Sequence, residues 1–202
     1  GSGAGPSPDR LFLGSEGTLG VITEAWMRLQ DRPTFRASTS VLFPGKEGFQ
    51  RGAATVRALS QTGLFPSNCR LLDAGEAANS GAAGGDASVL VLGFESADHS
   101  LDAWMARALE CCRDGGGEVP DQAPATQKAG TGAQDGAAGA WRSAFLQAPY
   151  VRDVLVRMAL VCETFETAIT WDRFEEFHSG VMEATRRAVQ KECGAGWVTG
   201  RF

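Results

Sequence analysis

Apolar and polar positions along this chain change period several times, and each change marks an element boundary. Val21 to Gln30 alternates, with Val21, Thr23, Ala25, Met27 and Leu29 set against Ile22, Glu24, Trp26 and Arg28, which predicts a strand that Arg32-Pro33 stops. Ala37 to Pro44 again has strand character. From Gly45 to Thr62 the period lengthens: Phe49, Ala53, Val56, Ala58 and Leu59 fall near helical spacing. Asn68 to Asp73 is extended, Ala77 to Asp86 is a small-residue loop, and Val89-Leu-Val-Leu-Gly-Phe94 is a continuous apolar run of strand length. Ser96 to Arg113 predicts a helix, capped by Ser96 or Asp98, with Leu101, Trp104, Met105, Ala108 and Leu109 as its buried stripe and Asp114-Gly115-Gly116-Gly117 as its stop. Glu118-Val119-Pro120 is a short last strand. The resulting order is strand-helix-strand-strand-helix-strand, the split βαβ arrangement of ferredoxin-like α+β domains.

Asp121 to Ala140 is rich in Gly and Ala and almost free of bulky side chains, so it buries too little surface to offset its ordering entropy; a flexible loop is expected. Helical texture resumes from Trp141 to Leu160, with Trp141, Phe145, Val151, Leu155 and Ala159 as an apolar face. Pro149 is expected to break it, so that a new helix starts near Tyr150 and Arg152 lies in its first turn. Val161 to Thr170 alternates apolar with acidic or hydroxyl residues, as a strand with one wet face does. Trp171-Asp172-Arg173-Phe174 leads into a helix running to about Glu192, with Phe174, Phe177, Val181, Ala184 and Ala188 on one side and Gly194 and Gly196 ending it. The Gly, Ser, Pro and Asp composition of residues 1 to 10 is that of a linker, and Trp197 to Phe202 begins a strand-like run.

Composition narrows the function classes. A formal net charge of −5 over 202 residues leaves no basic footprint for nucleic acid, and no apolar stretch approaches the roughly 20 residues of a spanning helix. The five cysteines, Cys69, Cys111, Cys112, Cys162 and Cys193, are odd in number and contain no C-x-x-C pair, which predicts free thiols in a reducing compartment. His99 and His178 stand far apart beside charged residues, so both are expected to be solvated surface histidines and no metal site is expected.

The chemistry concentrates in Gly14-Ser-Glu-Gly-Thr-Leu-Gly-Val-Ile-Thr-Glu24. Gly17 and Gly20 offer positive φ and no Cβ to hold a ligand away, and bare amides in such a turn suit phosphate or flavin edges. With its flanks, Leu11 to Ala25 resembles the last cofactor-contacting segment of the FAD-binding domain in vanillyl-alcohol oxidase type flavoproteins. That resemblance implies FAD as cofactor and Glu16, Gly17, Thr18, Leu19, Gly20, Val21 and Ile22 as its contacts. It makes residues 1–33 the end of an FAD-binding domain. Residues 34–202 become a ferredoxin-like substrate or cap domain of the FAD-linked oxidase C-terminal type, incomplete at its C-terminus, with its flexible loop at 121–140. One loop without a preceding pyrophosphate cradle is half a site, so a partial chain is expected, inactive by itself.

Glu163-Thr-Phe-Glu-Thr-Ala-Ile-Thr-Trp-Asp-Arg173, together with Tyr150-Val-Arg-Asp153 and Cys69-Arg70-Leu71-Leu72-Asp73, is similar to the alkylglycerone-phosphate synthase branch of that superfamily. The branch implies exchange of the acyl group of acyl-dihydroxyacetone phosphate for a long-chain fatty alcohol, with no net electron transfer. Its tyrosine and its histidine-rich segment would lie beyond Phe202. An arginine fork matches a phosphate better than lysine does, and the resemblance marks Arg70 as catalytic and Arg152 as substrate-binding; by composition alone each reads as an ordinary solvated cation. Glu163 and Glu166 read as the solvent side of a strand or as partners of Arg173. The rival enzyme is an FAD-dependent D-2-hydroxyacid dehydrogenase or glycolate-oxidase-like protein, which shares the Gly-Ser-Glu-Gly-Thr-Leu-Gly segment. A third reading, of another class, is a non-catalytic binding module. The resemblance further leaves room for a homodimer and for peripheral membrane association of the full-length enzyme, and it implies the peroxisome in a eukaryote or the cytoplasm otherwise.

Overall fold

The computed structural model describes residues 3, 5, 7–119, 124–128 and 136–202. The chain divides into two units, residues 1–32 and 33–202.

The first unit holds one short helix, α1 (Asp9–Phe12), followed by a turn in which the Thr18 amide donates to the Ser15 carbonyl at 2.9 Å. No strand forms over Val21 to Gln30; these residues are exposed and make no backbone hydrogen bond to another described residue. Alternation predicts which face a strand would bury, but a strand also needs a partner to take its amides and carbonyls, and the described chain offers none.

The second unit is built on β1 (Phe35–Phe43), α2 (Gly48–Ser60), β2 (Asn68–Leu72), α3 (Ala74–Asn79), β3 (Ser88–Ser96), α4 (Asp102–Asp114), β4 (Gln127–Lys128), α5 (Gly136–Arg157) and α6 (Phe174–Cys193). The sheet order is β2-β3-β1-β4, and every pairing is antiparallel. That order is the ferredoxin-like split βαβ topology, with α2 and α4 as the crossover helices. The core follows from the pleat. Ala37, Val41 and Phe43 of β1, Leu71 of β2, and Leu90, Leu92 and Phe94 of β3 bury one face against Phe49, Ala53, Val56 and Leu59 of α2 and Met105, Ala108, Leu109 and Cys112 of α4. Gly52 and Gly117 let the layers close: a Cβ on Gly52 would lie 2.6 Å from Leu71 Cδ1, and one on Gly117 would lie 2.9 Å from the Cys112 carbonyl oxygen.

Several boundaries differ from the sequence expectation. The small-residue loop over Ala77 to Asp86 begins one helix later than expected, because Asp73 Oδ1 accepts from the Glu76 amide at 2.7 Å and nucleates α3. Helix α4 starts at Asp102 and not at Ser96: the Ser96 hydroxyl is spent on the amides of Asp98 and His99, both at 3.2 Å, and Thr126 Oγ1 caps the Leu101 amide at 3.0 Å. The strand at Glu118 to Pro120 contracts to a single bridge between Glu118 and Leu42. Pro120 lies outside the described residues, as do 121–123 and 129–135 of the expected flexible loop; within that stretch Gln127–Lys128 forms β4 and α5 begins at Gly136. Helix α5 runs unbroken through Pro149 to Arg157. A proline ring already has a helical φ, so the helix continues past it at the cost of one backbone hydrogen bond.

No strand forms over Val161 to Thr170 either, again for want of a partner. Helix α6 ends where expected, at Gly194 in the left-handed conformation. Its covered side includes Phe174, Phe177 and Val181 as expected and extends to His178, Met182 and Val189, while Ala184 and Ala188 are exposed. After it the chain returns to the free edge of β2. Leu71 and Phe202 exchange hydrogen bonds at 2.6 and 3.0 Å, and the Gly200 carbonyl accepts from the Asp73 amide at 2.9 Å. All five cysteines are free. Among the described residues no helix is long and apolar enough to cross a membrane, and no cluster of His, Cys, Asp and Glu could hold a metal ion.

Candidate functional site

The sheet has a second face, and it is only partly apolar. Along it lie Ser38, Ser40 and Leu42 of β1, Val89, Val91 and Gly93 of β3, and Asn68, Arg70 and Leu72 of β2, placed side by side by the registers Asn68 to Gly93 to Ser38 and Arg70 to Val91 to Ser40. At one end Leu72, Val89 and Val91 form a small buried cluster with Ala77, closed by Leu42, Ala82, Ala83 and Trp141. At the other end Arg36 pairs with Glu95 at 2.9 Å. Helix α5 packs over β1 and β3 from this side. Beside the apolar end opens a groove of about 550 Å³ lined by Ser40, Leu42, Ala82, Ala83, Glu118 and Val119.

Arg70 stands in the middle of this face. It is half-buried, its guanidinium carbon lies 4.8 Å from the centre of the Trp141 ring, and no carboxylate pairs with it among the described residues. Arg152 is placed differently from expectation. Because α5 is continuous, Arg152 lies in its last two turns, far from the unpaired amides of the helix start, and it pairs with Glu163. Both side chains are more than half exposed, at 56% and 62%. Glu163 therefore partners Arg152 and not Arg173.

His178 is not the solvated histidine expected. Its ring stacks on Phe49 at 4.7 Å and on Phe174 at 5.5 Å, and its Nε2 is buried without a hydrogen-bond partner among the described residues. Burial pushes its pKa below the ordinary histidine value; Asp73 opposes that shift and Arg186 adds to it. His99 does lie near the surface, with Nδ1 2.9 Å from the Ser96 hydroxyl and 2.6 Å from Asp98.

In the first unit, Gly14 and Gly17 have φ of +80° and +84°, and a Cβ on either would meet nothing within 4 Å. Glu16 adopts a positive φ of 50° between them. Gly20 does not share that conformation. Its constraint is the Phe12 ring, whose Cε1 would lie 3.2 Å from a Cβ there. Leu19, Val21 and Ile22 are exposed, with Val21 at 87%, and the amides from Leu19 to Ile22 make no backbone hydrogen bond to a described residue. The segment Gly14 to Glu24 contains two glutamates and no cation. Open space over a left-handed glycine and unused amides fit an uncharged, flat part of FAD better than its pyrophosphate, which needs cations or converging donors.

Residues 32–201 match the family described as FAD linked oxidases, C-terminal domain. The chain belongs to that family. Its members are FAD-dependent, so the cofactor and the mixed α+β fold both agree with the sequence expectation. Among relatives, the chain is 26% identical to an alkyldihydroxyacetonephosphate synthase of Caenorhabditis elegans, over 94% of this chain and 34% of that protein. It is 36% identical to glycolate oxidase subunit GlcD of Bacillus subtilis (strain 168), over 35% of this chain and 14% of that protein. A solved alkyldihydroxyacetonephosphate synthase structure superposes on 98% of this chain and 39% of its own, with a TM-score of 0.66 and 18% identity, which shows the shared fold. The chain thus spans about a third or less of the length of these curated relatives.

Sequence reasoning missed the polar floor and Trp141. The floor was signalled by Ser38 and Ser40 alternating with the apolar residues of β1, an alternation that makes one sheet face polar beneath a helix. From the sequence Trp141 reads only as part of an apolar stripe.

Proposed function

We propose that the chain is the substrate-facing part of an FAD-dependent enzyme that exchanges the acyl group of acyl-dihydroxyacetone phosphate for a long-chain fatty alcohol. The observation that carries the reading is Arg70: a half-buried guanidinium on a polar sheet face, without a carboxylate partner among the described residues. Leaving such a cation unmatched is costly unless an anion meets it. The exchange presents two anions, the phosphate and the departing fatty carboxylate, and a guanidinium fork fits either. In balance, the ester carbon–oxygen bond breaks, an ether carbon–oxygen bond forms, the alcohol gives up its proton, and the fatty acid leaves.

In this reading Arg70 meets the carboxylate as its charge develops. Arg152 takes the phosphate in exchange for Glu163, and Glu16 to Ile22 lie along FAD. The flavin, when bound, supplies the covalent partner for the substrate carbon. The similarity of nearly the whole chain to the nematode synthase supports this reaction over oxidation. Oxidation of a 2-hydroxy acid is the second reading, favoured by the glycolate oxidase match over a third of the chain, since the same arginine would hold the acid's carboxylate. Assembly as a homodimer, peripheral membrane association of the full-length enzyme, and a peroxisomal address in a eukaryote or a cytoplasmic one otherwise, remain part of the first reading.

The test is Arg70→Ala in the full-length flavoprotein. A charge-assisted contact is worth about 1.5 to 3 kcal/mol, so turnover of acyl-dihydroxyacetone phosphate should fall roughly ten- to a hundredfold with FAD content unchanged. Unchanged turnover would remove Arg70 from the site.

A further inference from the structure

We infer that Trp141 is a positioning residue for Arg70, an inference that rests on the anion-binding reading above. The indole is held from two sides. Its body closes the cluster of Leu72, Ala77, Val89 and Val91, and its ring stacks on Phe145 at 5.5 Å with 25° between the planes. Arg70 reaches it from the neighbouring position of the same sheet face, since Arg70 and Leu72 are two apart on β2.

The geometry of the contact gives it a use. A guanidinium over an aromatic ring, here with its carbon 4.8 Å from the ring centre and within the roughly 6 Å range of cation–π attraction, is held through its charge and not through its hydrogen-bond donors. Its N–H donors lie in the plane and stay free for a fork onto a carboxylate or phosphate. No described carboxylate takes them. An arginine side chain that swings freely must lose its rotamer freedom when the anion arrives; one already held over a ring has lost part of it in advance. Trp141 also leaves the cation its charge, where an acidic partner in the same place would have neutralised it. The indole thus orients Arg70 without competing for its ligand, and it ties that orientation to the seating of α5 on the sheet.

A purely structural Trp141 would lower stability or cofactor retention and would affect turnover whether or not Arg70 is present. The test is a double-mutant cycle in the full-length flavoprotein with Trp141→Leu and Trp141→Phe, each with and without Arg70→Ala. Trp141→Leu should lower turnover of acyl-dihydroxyacetone phosphate about threefold to tenfold, and Trp141→Phe, which keeps a ring face, should recover most of it. In the Arg70→Ala background neither substitution should lower turnover further. Equal losses in both backgrounds, or no advantage of Phe over Leu, would overturn the inference while leaving Arg70 in the site. Full turnover in Arg70→Ala itself would overturn the anion-binding reading and this inference together. If Trp141→Leu does not fold, Trp141→Met, which fills more of the space without a ring face, takes its place in the same comparison.

Discussion

Arg70 and Arg152 carry the same charge in opposite situations. Arg70 lies half-buried on a sheet face with an aromatic ring beneath it, whereas Arg152 lies exposed and paired to Glu163. An exposed pair contributes at most about 1 kcal/mol, so a phosphate could displace Glu163 at little cost. Arg152→Ala should therefore leave folding unchanged and raise the Michaelis constant for acyl-dihydroxyacetone phosphate roughly tenfold, with turnover little altered. Steady-state kinetics of the full-length protein checks this; an unchanged Michaelis constant would make Arg152 a solvated ion-pair residue.

His178 makes a different prediction at the same scale. Its pKa is held below the ordinary value of about 6.5 by burial between Phe49 and Phe174, with Arg186 adding to the shift and Asp73 opposing it. The unfolded chain therefore takes the proton first as pH falls. The stability contributed by neutral His178 is complete above about pH 6.5 and is lost as pH drops below that value. His178→Phe should flatten the fall in Tm between about pH 7 and pH 5, and an unaltered slope would show that other groups cause it. From the sequence His178 reads as a surface residue because of nearby charges such as Glu175 and Glu176, while its ring follows the helical period of Phe174 and Met182 inward.

At the scale of elements, Asp73 joins two pieces distant in the chain. One oxygen caps α3 through the Glu76 amide at 2.7 Å, and the other accepts from the Gly200 amide at 2.6 Å. Glu76 continues the clasp, accepting from Thr199 Oγ1 at 2.9 Å and pairing with Arg201 at 2.7 Å. Asp73→Ala removes a cap and a second acceptor, so it should cost about 2 to 3 kcal/mol in urea unfolding. A loss under about 0.5 kcal/mol would mean that the terminal strap holds without it. The paired elements were legible because each leaves a local signature: apolar alternation for β1, an apolar run for β3, helical spacing for α2 and α4. Val21 to Gln30 and Val161 to Thr170 carry the same alternation and form no strand, because pairing is a long-range property that no window of one chain contains. Pro149 misled for the reverse reason, since a local stop signal yielded to a helix that continues on both sides.

For the whole molecule, the split βαβ sheet, the crossover helices and the membership in the FAD-linked oxidase C-terminal family agree with one another. Of the candidate site, the residue types were legible and their surroundings were not. Arg70 stood out through its motif, but neither its lack of a carboxylate partner among the described residues nor its seat on Trp141, 71 positions away in sequence, can be read from that motif. The proposed function makes this chain part of an enzyme that exchanges carbon–oxygen bonds, in contrast to an oxidation. The deciding measurement is to incubate the full-length flavoprotein with acyl-dihydroxyacetone phosphate and a long-chain alcohol, without any electron acceptor, and to analyse the products by mass spectrometry. Alkyl-dihydroxyacetone phosphate and free fatty acid should form in equal amounts; absence of both, together with reduction of the flavin in a parallel incubation with a 2-hydroxy acid, would show that the enzyme is an oxidase.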